Sequence, residues 1–178
     1  MRKGAAMAES LCTNRDKTLN FATIMKTILA PIDFSPISKR IVDEAAQLAR
    51  HLKGRLHLLH IVPPPIVTQS EYVTEKGAEF AALTVDAMAE ELKKVARPLE
   101  ATGLVVETTA VLGFPGEVII EKARKLKADY LVVGSHGHGA FYDLIIGSTT
   151  SRVLKQADCA VVIVPAERKS RRSRNGAK

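Results

Sequence analysis

Five short runs of apolar, largely branched residues alternate along the chain with segments whose apolar residues recur at helical spacing. The first run ends at Pro31, and the others span Arg55 to Val62, Leu104 to Val111, Tyr130 to Val133 and Cys159 to Pro165. The second run is almost continuously apolar, which is typical of a central strand buried on both faces. Alternating strands and helices favour a parallel sheet with right-handed crossovers and helices on both faces. The sequence therefore predicts an α/β fold.

Helix start and stop signals lie between these runs. Ser35 followed by Pro36 predicts an N-cap with proline at the first helical position, and Gly54 predicts the end of that helix. Further helices are expected from about Glu71 to Ala101, with Pro98 in the last turn and Gly103 closing it, over Val118 to Leu126, and from Gly147 to about Ala157.

The chain has 178 residues, of which 46% are hydrophobic, so it has enough apolar material for one ordinary core. Its formal net charge of +7 lies in the two tails, with +2 in residues 1–25 and +5 in residues 166–178. Residues 26–165 are neutral, which argues against a basic face for nucleic acid. We expect disordered tails at 1–25 and 166–178 around one domain at 26–165. The basic tail is expected to make weak anionic contacts at most.

Several patterns that would assign the protein to other classes are missing. No run of eighteen apolar residues occurs, and the N-terminal segment is charged where a signal peptide would be apolar, so a cytoplasmic protein without membrane insertion is expected. Cys12 and Cys159 do not suggest a disulfide framework or a thiolate metal site. A Walker lysine is absent, and Tyr142 stands where a dinucleotide fingerprint requires glycine. No nucleophile motif is evident, so we do not expect an enzyme beyond a slow ATPase.

A glycine-rich loop follows the fourth strand and carries Gly134, Gly137 and Gly139. Gly147 then precedes three hydroxyl residues, Ser148-Thr149-Thr150, at the expected start of a helix. Free backbone amides and hydroxyls at a helix N-terminus are suited to phosphate oxygens. The alternative is that the glycines serve only tight turns and the hydroxyls only cap the helix.

Asp33 follows the first strand, which would border the same crevice as the fourth strand at the carboxyl edge of an open sheet. Its carboxylate could accept from ribose or adenine, or help to hold Mg²⁺, but capping the next helix is an equally good role. The backbone of Ile61 could read an adenine edge. His136 and His138 are expected to face phosphate or solvent, since two histidines make a poor metal site. His57 and His60 are interpreted as core or rim residues.

These motifs together resemble the universal stress protein family over nearly all of residues 26–165. The family's ATP-binding spacing is met by Gly134, Gly137, Gly147 and Ser148, and its opening Pro-x-Asp-Phe-Ser is met from Pro31 to Ser35. The chain departs from the family pattern in two places. Thr149 stands where members of the family often have valine, and the basic C-terminal tail is not usual in the family.

The resemblance implies a Rossmann-like sheet of the adenine nucleotide alpha hydrolase type, in the order 3-2-1-4-5. It also implies ATP, with or without Mg²⁺, and homodimers paired through Ala160 to Val164. The implied binding residues are Pro31, Asp33, Ile61, Val133, Gly134, His136, Gly137, His138, Gly147, Ser148, Thr149 and Thr150. No catalytic or metal-binding residue is implied.

The sequence thus predicts a stress-responsive cytoplasmic protein that binds ATP and regulates through it, with slow or no hydrolysis. Two alternatives stay open. One is an interaction protein of the same fold whose loop binds no nucleotide. The other is a weak nucleotide hydrolase that uses Asp33 and His136.

Overall fold

A computed structural model describes residues 25–64, 75–135 and 147–166. The strands are β1 (Thr27–Pro31), β2 (Arg55–Val62), β3 (Val105–Leu112), β4 (Tyr130–Gly134) and β5 (Ala160–Val164), and the helices are α1 (Ser38–His51), α2 (Glu75–Glu100), α3 (Pro115–Leu126) and α4 (Ser148–Gln156). All four strand pairings are parallel, and the strand order is β3-β2-β1-β4-β5. The predicted open five-stranded α/β fold is therefore confirmed.

The sheet separates two hydrophobic layers. Helices α1 and α2 cover one face, where Leu56, Leu58 and Leu92 are completely buried. Helices α3 and α4 cover the other face, where Leu29, Leu59 and Leu131 are completely buried. Strands β3 and β5 form the two edges of the sheet. The middle strands are apolar on both sides because helices cover both sides, as a parallel sheet requires.

Helix α1 begins later than its sequence signals indicate. Its N-cap is Ile37, so Ser35 is not the cap and Pro36 is not the first helical residue. The carboxylate of Asp33 accepts a hydrogen bond from the backbone N–H of Ser35, and the N–H of Ser38 donates to the Ser35 carbonyl. An aspartate that bonds the backbone two residues ahead forms a turn of its own. The chain therefore completes this turn before the helix starts.

The end of α1 also differs in detail from the prediction. Lys53 takes the left-handed conformation, with φ at 49°, that glycine usually takes at this point. Gly54 follows it, and its N–H donates to the carbonyl of Ala49. A Cβ at Gly54 would overlap the carbonyl oxygen of Lys26. Gly54 is therefore required for close approach to the chain entering β1 rather than for a left-handed turn.

Helix α2 continues through Pro98 and ends at Glu100, and Gly103, with φ at 82°, closes the connection to β3. Residues 71–74 of the predicted helix lie outside the described residues, as do residues 1–24 and 167–178 of the predicted tails. No helix in the described ranges is long and apolar enough to cross a membrane.

Asp129 connects three strands at the amino edge of the sheet. Its carboxylate accepts hydrogen bonds from Lys26 Nζ at 2.7 Å and from the N–H of Thr27 at 2.9 Å. The N–H of Asp129 donates back to the Thr27 carbonyl, and the Asp129 carbonyl accepts from Ala160 at 3.3 Å. Partial burial opposes ionisation, but the bonds from Lys26 and Thr27 outweigh it and lower the pKa of Asp129. We call this arrangement the Asp129 clamp.

Candidate functional site

The candidate site lies at the carboxyl edge of the sheet, where β1 and β4 end side by side. After β1 the chain moves outward through β2 to β3, and after β4 it moves the other way to β5. The crossovers leave this edge in opposite directions, so a crevice opens between the ends of β1 and β4. Asp33 follows the first of these strands, and Gly134 ends the second.

Asp33 organises the turn between β1 and α1. Its Oδ1 accepts hydrogen bonds from the N–H of Ser35 and from Oγ of Ser38, both at 3.0 Å. Phe34, which lies between Asp33 and Ser35 in the sequence, has φ at 58°. Asp33 therefore does not cap α1, as the alternative role from the sequence would require; its carboxylate stabilises the turn before the helix and bonds the side chain of Ser38.

A hydroxyl bond attaches the start of α4 to the end of β4. Thr150 is buried, and its Oγ1 donates to the carbonyl of Gly134 at 2.8 Å. The N–H of Gly147 donates to the carbonyl of Ser135 at 3.1 Å. Among the described residues, no side chain caps α4, whose N-cap is Gly147. The backbone N–H groups of its first turn therefore lack a side-chain acceptor within this part of the chain.

Gly147 adopts φ at −55° and ψ at 151°, a conformation that any residue can adopt. The glycine is thus not required by its backbone angles. Ser148 is exposed, and Thr149 is half-buried. Their hydroxyls lie in the first turn of α4, where they add polar groups to the positive end of the helix dipole.

The backbone of Ile61 points toward the place where β1 has ended. The β1–β2 ladder stops with Pro31 opposite Leu59, and the N–H of Ile32 donates to the Leu59 carbonyl. Alternate residues of a strand direct their backbone groups to the same neighbour. The N–H and carbonyl of Ile61, two residues after Leu59, therefore point to the β1 side beyond the last ladder bond. This is the position that the sequence analysis assigned to an adenine edge.

Nine of the twelve implied binding residues are described, and they lie on β1, β2, β4 and the start of α4 or directly beside these elements. Pro31 ends β1, and Val133 is buried beside Gly134 in β4. His136, Gly137 and His138 lie outside the described residues. Ligand binding by the twelve residues stays a prediction.

His60 contributes to the site in a way that the sequence analysis missed. The ring is buried, and its Nδ1 donates to the carbonyl of Ile32 at 2.9 Å, since a carbonyl can only accept. The ring of Phe34 lies 4.8 Å from it, centroid to centroid. His60 thus fixes the residues on either side of Asp33. The only sequence signal was its position next to Ile61.

Comparison with known proteins identifies the family. A model of the universal stress protein family matches residues 25–165. The chain belongs to this family. Among curated relatives, a universal stress protein of Methanocaldococcus jannaschii is 30% identical over 152 residues, which are 84% of this chain and 88% of the relative.

Solved structures of universal stress proteins share the fold. UspA from Lactobacillus plantarum superposes with a TM-score of 0.69 at 21% identity, covering 78% of this chain and 97% of that protein. A universal stress protein solved in complex with cAMP gives a TM-score of 0.57 at 26% identity, covering 80% of this chain and 98% of the other. The second comparison bears on the ligand, because that relative contains an adenine nucleotide.

Proposed function

We propose that this protein binds ATP, with or without Mg²⁺, at the carboxyl edge of the sheet and acts as a nucleotide-dependent regulator of a cytoplasmic stress response. One observation carries the proposal. The backbone of Ile61 beyond the β1 ladder, the carboxylate of Asp33 and the start of α4, which no described side chain caps, lie at the same edge of the sheet. Adenine, ribose and phosphate require polar partners of these three kinds.

Charge sets the direction of the nucleotide in the crevice. The N-terminus of α4 has a positive helix dipole and hydroxyl groups, which favour phosphate. The carboxylate of Asp33 accepts hydrogen bonds and would repel phosphate, so it suits the hydroxyls of ribose or the amino group of adenine. We therefore orient the phosphates toward Ser148 and the nucleoside toward Asp33 and Ile61. The cAMP complex of a relative supports an adenine ligand.

The same contacts favour holding ATP over hydrolysing it. Asp33 already accepts hydrogen bonds from Ser35 and Ser38, so it is a weak candidate for a general base. Among the described residues, no group of three or more histidine, cysteine or acidic residues is arranged to hold a metal ion by itself. Any Mg²⁺ would therefore depend mainly on phosphate oxygens. We expect slow hydrolysis or none.

Mass spectrometry of small molecules released by denaturation tests the proposal first, because a bound adenine nucleotide would copurify. Titration calorimetry of stripped protein with ATP and Mg²⁺ follows. Asp33→Asn is expected to weaken binding by about tenfold, since it removes the charge from a hydrogen-bond acceptor. Asp43→Asn, an exposed change on α1, is the matched control. Absence of binding heat in stripped wild-type protein would reject the function.

Strand β5 supports a homodimer as the assembly. It forms one edge of the sheet, and Ile163 is 39% exposed there. An unpaired apolar edge favours pairing with a second copy. We expect a dimer in sedimentation analysis, and Ile163→Lys should shift it toward monomer. Val105→Lys, on the opposite edge strand, is the control. A monomeric wild-type protein at micromolar concentration would contradict this assembly.

A further inference from the structure

A chain of four hydrogen-bonded side chains lies on the sheet face that α3 covers, away from the nucleotide crevice. Lys122 Nζ lies 3.2 Å from Oγ1 of Thr109, and this oxygen lies 2.8 Å from Nε2 of His57. Nδ1 of the same ring lies 3.2 Å from Oε2 of Glu107. We call these four residues, on α3, β3, β2 and β3, the relay. The sequence analysis interpreted His57 only as a core or rim residue.

The donors and acceptors of the relay fit in one direction. An ammonium can only donate, so Lys122 donates to Thr109. The carboxylate of Glu107 can only accept, so Nδ1 of His57 carries a proton and donates to it. In a neutral ring Nε2 is then an acceptor, and the hydroxyl of Thr109 donates to it. This is the tautomer in which a histidine can remove a proton from a hydroxyl while a carboxylate orients the ring.

The surroundings keep His57 ready to accept that proton. Burial lowers the pKa of His57, and the positive charge of Lys122 lowers it further, while Glu107 acts in the opposite direction. Arg55, which ion-pairs with Glu107 at 3.4 Å, also lowers the pKa. The ring is therefore neutral at neutral pH. Its side chain is only 6% exposed, so water competes little for Nε2.

The hydroxyl end of the relay lies at one edge of the sheet. Thr109 belongs to the edge strand β3 and is half-buried, as is Lys122. An acyl-transfer site combines a hydroxyl hydrogen-bonded to a base, a carboxylate hydrogen-bonded to that base, and a cation beside the hydroxyl. The relay has all three parts. One ammonium matches the single negative charge that a tetrahedral acyl intermediate develops.

We propose that Thr109 is a nucleophile that accepts an acyl group from small activated esters. Oγ1 of Thr109 bonds to the carbonyl carbon of the ester while its proton moves to Nε2 of His57. The tetrahedral intermediate carries its negative charge beside Lys122. The bond to the leaving alcohol then breaks, His57 returns the proton to the leaving oxygen, and an O-acyl threonine remains. No oxidant, metal or nucleotide is needed.

The test uses p-nitrophenyl acetate with the full chain at neutral pH. A burst of p-nitrophenol approaching one per chain is expected, with the acetyl group mapped to Thr109 by peptide mass spectrometry. Thr109→Val removes the nucleophile, so the burst and the acetyl adduct at this position should disappear. Thr108→Val changes the same kind of side chain on the same strand and should leave the burst unchanged.

The pH profile separates a chemical role from a structural one. The burst rate should follow the neutral fraction of His57, with its half-maximum below pH 6.5, the ordinary value for histidine. Glu107→Gln removes the charge that supports a protonated ring, and its site is 46% exposed, so the fold should tolerate it. It should lower the rate and move the half-maximum to lower pH. Absence of a burst, acetyl groups on lysines alone, or an unchanged rate in Thr109→Val would each overturn the proposal.

Discussion

The crevice and the relay are both polar clusters in a largely apolar fold, but their side chains form hydrogen bonds with different kinds of partner. At the crevice, Asp33 and Thr150 accept from or donate to backbone groups, and no described side chain caps the start of α4. In the relay, Thr109 and His57 bond to each other and to flanking charges. Among the described residues, the crevice groups thus bond mainly to the backbone, whereas the relay residues bond to one another.

The largest effect should come from separating α4 from β4. Thr150→Val keeps the shape of this buried side chain but removes the hydroxyl that donates to the carbonyl of Gly134. We expect a loss of about 1–3 kcal/mol in the free energy of unfolding, measured by urea denaturation, and weaker nucleotide binding.

Thr149→Val is the control for this change, because it makes the same substitution one residue earlier. Its effect on the free energy of unfolding should be within about 0.5 kcal/mol. Equal losses in the two variants would show that the bond to Gly134 does not hold the crevice together.

A smaller effect, with opposite signs in two measurements, is expected at Ser148. An acidic residue in the first turn of a helix stabilises it, so Ser148→Asp should raise the free energy of unfolding by about 0.3–1 kcal/mol. The same charge should repel phosphate and lower the affinity for ATP. Ser148→Asn is the neutral control. If calorimetry found the affinity unchanged, the phosphates would not lie at α4.

The smallest effect at neutral pH concerns the relay. The pKa of His57 is lowered in the folded state, so the unfolded state binds its proton more tightly. The resulting stabilisation is complete above pH 6.5, the ordinary value for histidine, and is lost as the pH falls through the lowered pKa. His57→Gln should therefore reduce the fall in stability on the acid side of pH 6.5. An unchanged fall in stability on the acid side in His57→Gln would contradict this prediction.

The strands were predictable because burial on both faces leaves a plain signal in the sequence. β2 was predicted at its observed bounds, Arg55–Val62, since a run of apolar residues between Gly54 and three prolines has few alternatives. The crevice followed from the same reasoning, because parallel strands bring the residues after β1 and β4 to one edge. The predicted start of α1 was wrong. The carboxylate of Asp33 bonds the N–H of Ser35 in a local turn, and this turn replaces the helix cap that Ser35 and Pro36 predict.

The relay could not be found in the sequence, because it depends on strand register. In the β2–β3 register, His57 pairs with Glu107, which comes fifty residues later in the chain. Thr109 pairs with Leu59, two residues after His57. A shift of one residue between β2 and β3 would turn these side chains to opposite faces. Composition and periodicity place a histidine on a buried strand, but only the paired sheet supplies its neighbours.

The Asp129 clamp has a consequence for how motion is distributed along the strands. Its hydrogen bonds join the starts of β1, β4 and β5 at the edge opposite the crevice. Amide protons at Thr27 and Asp129 should therefore exchange with deuterium only when the whole domain unfolds, whereas those at Ser135 and Gly147 should exchange through local opening. The starts of these three strands are thus held together independently of any contact at the crevice.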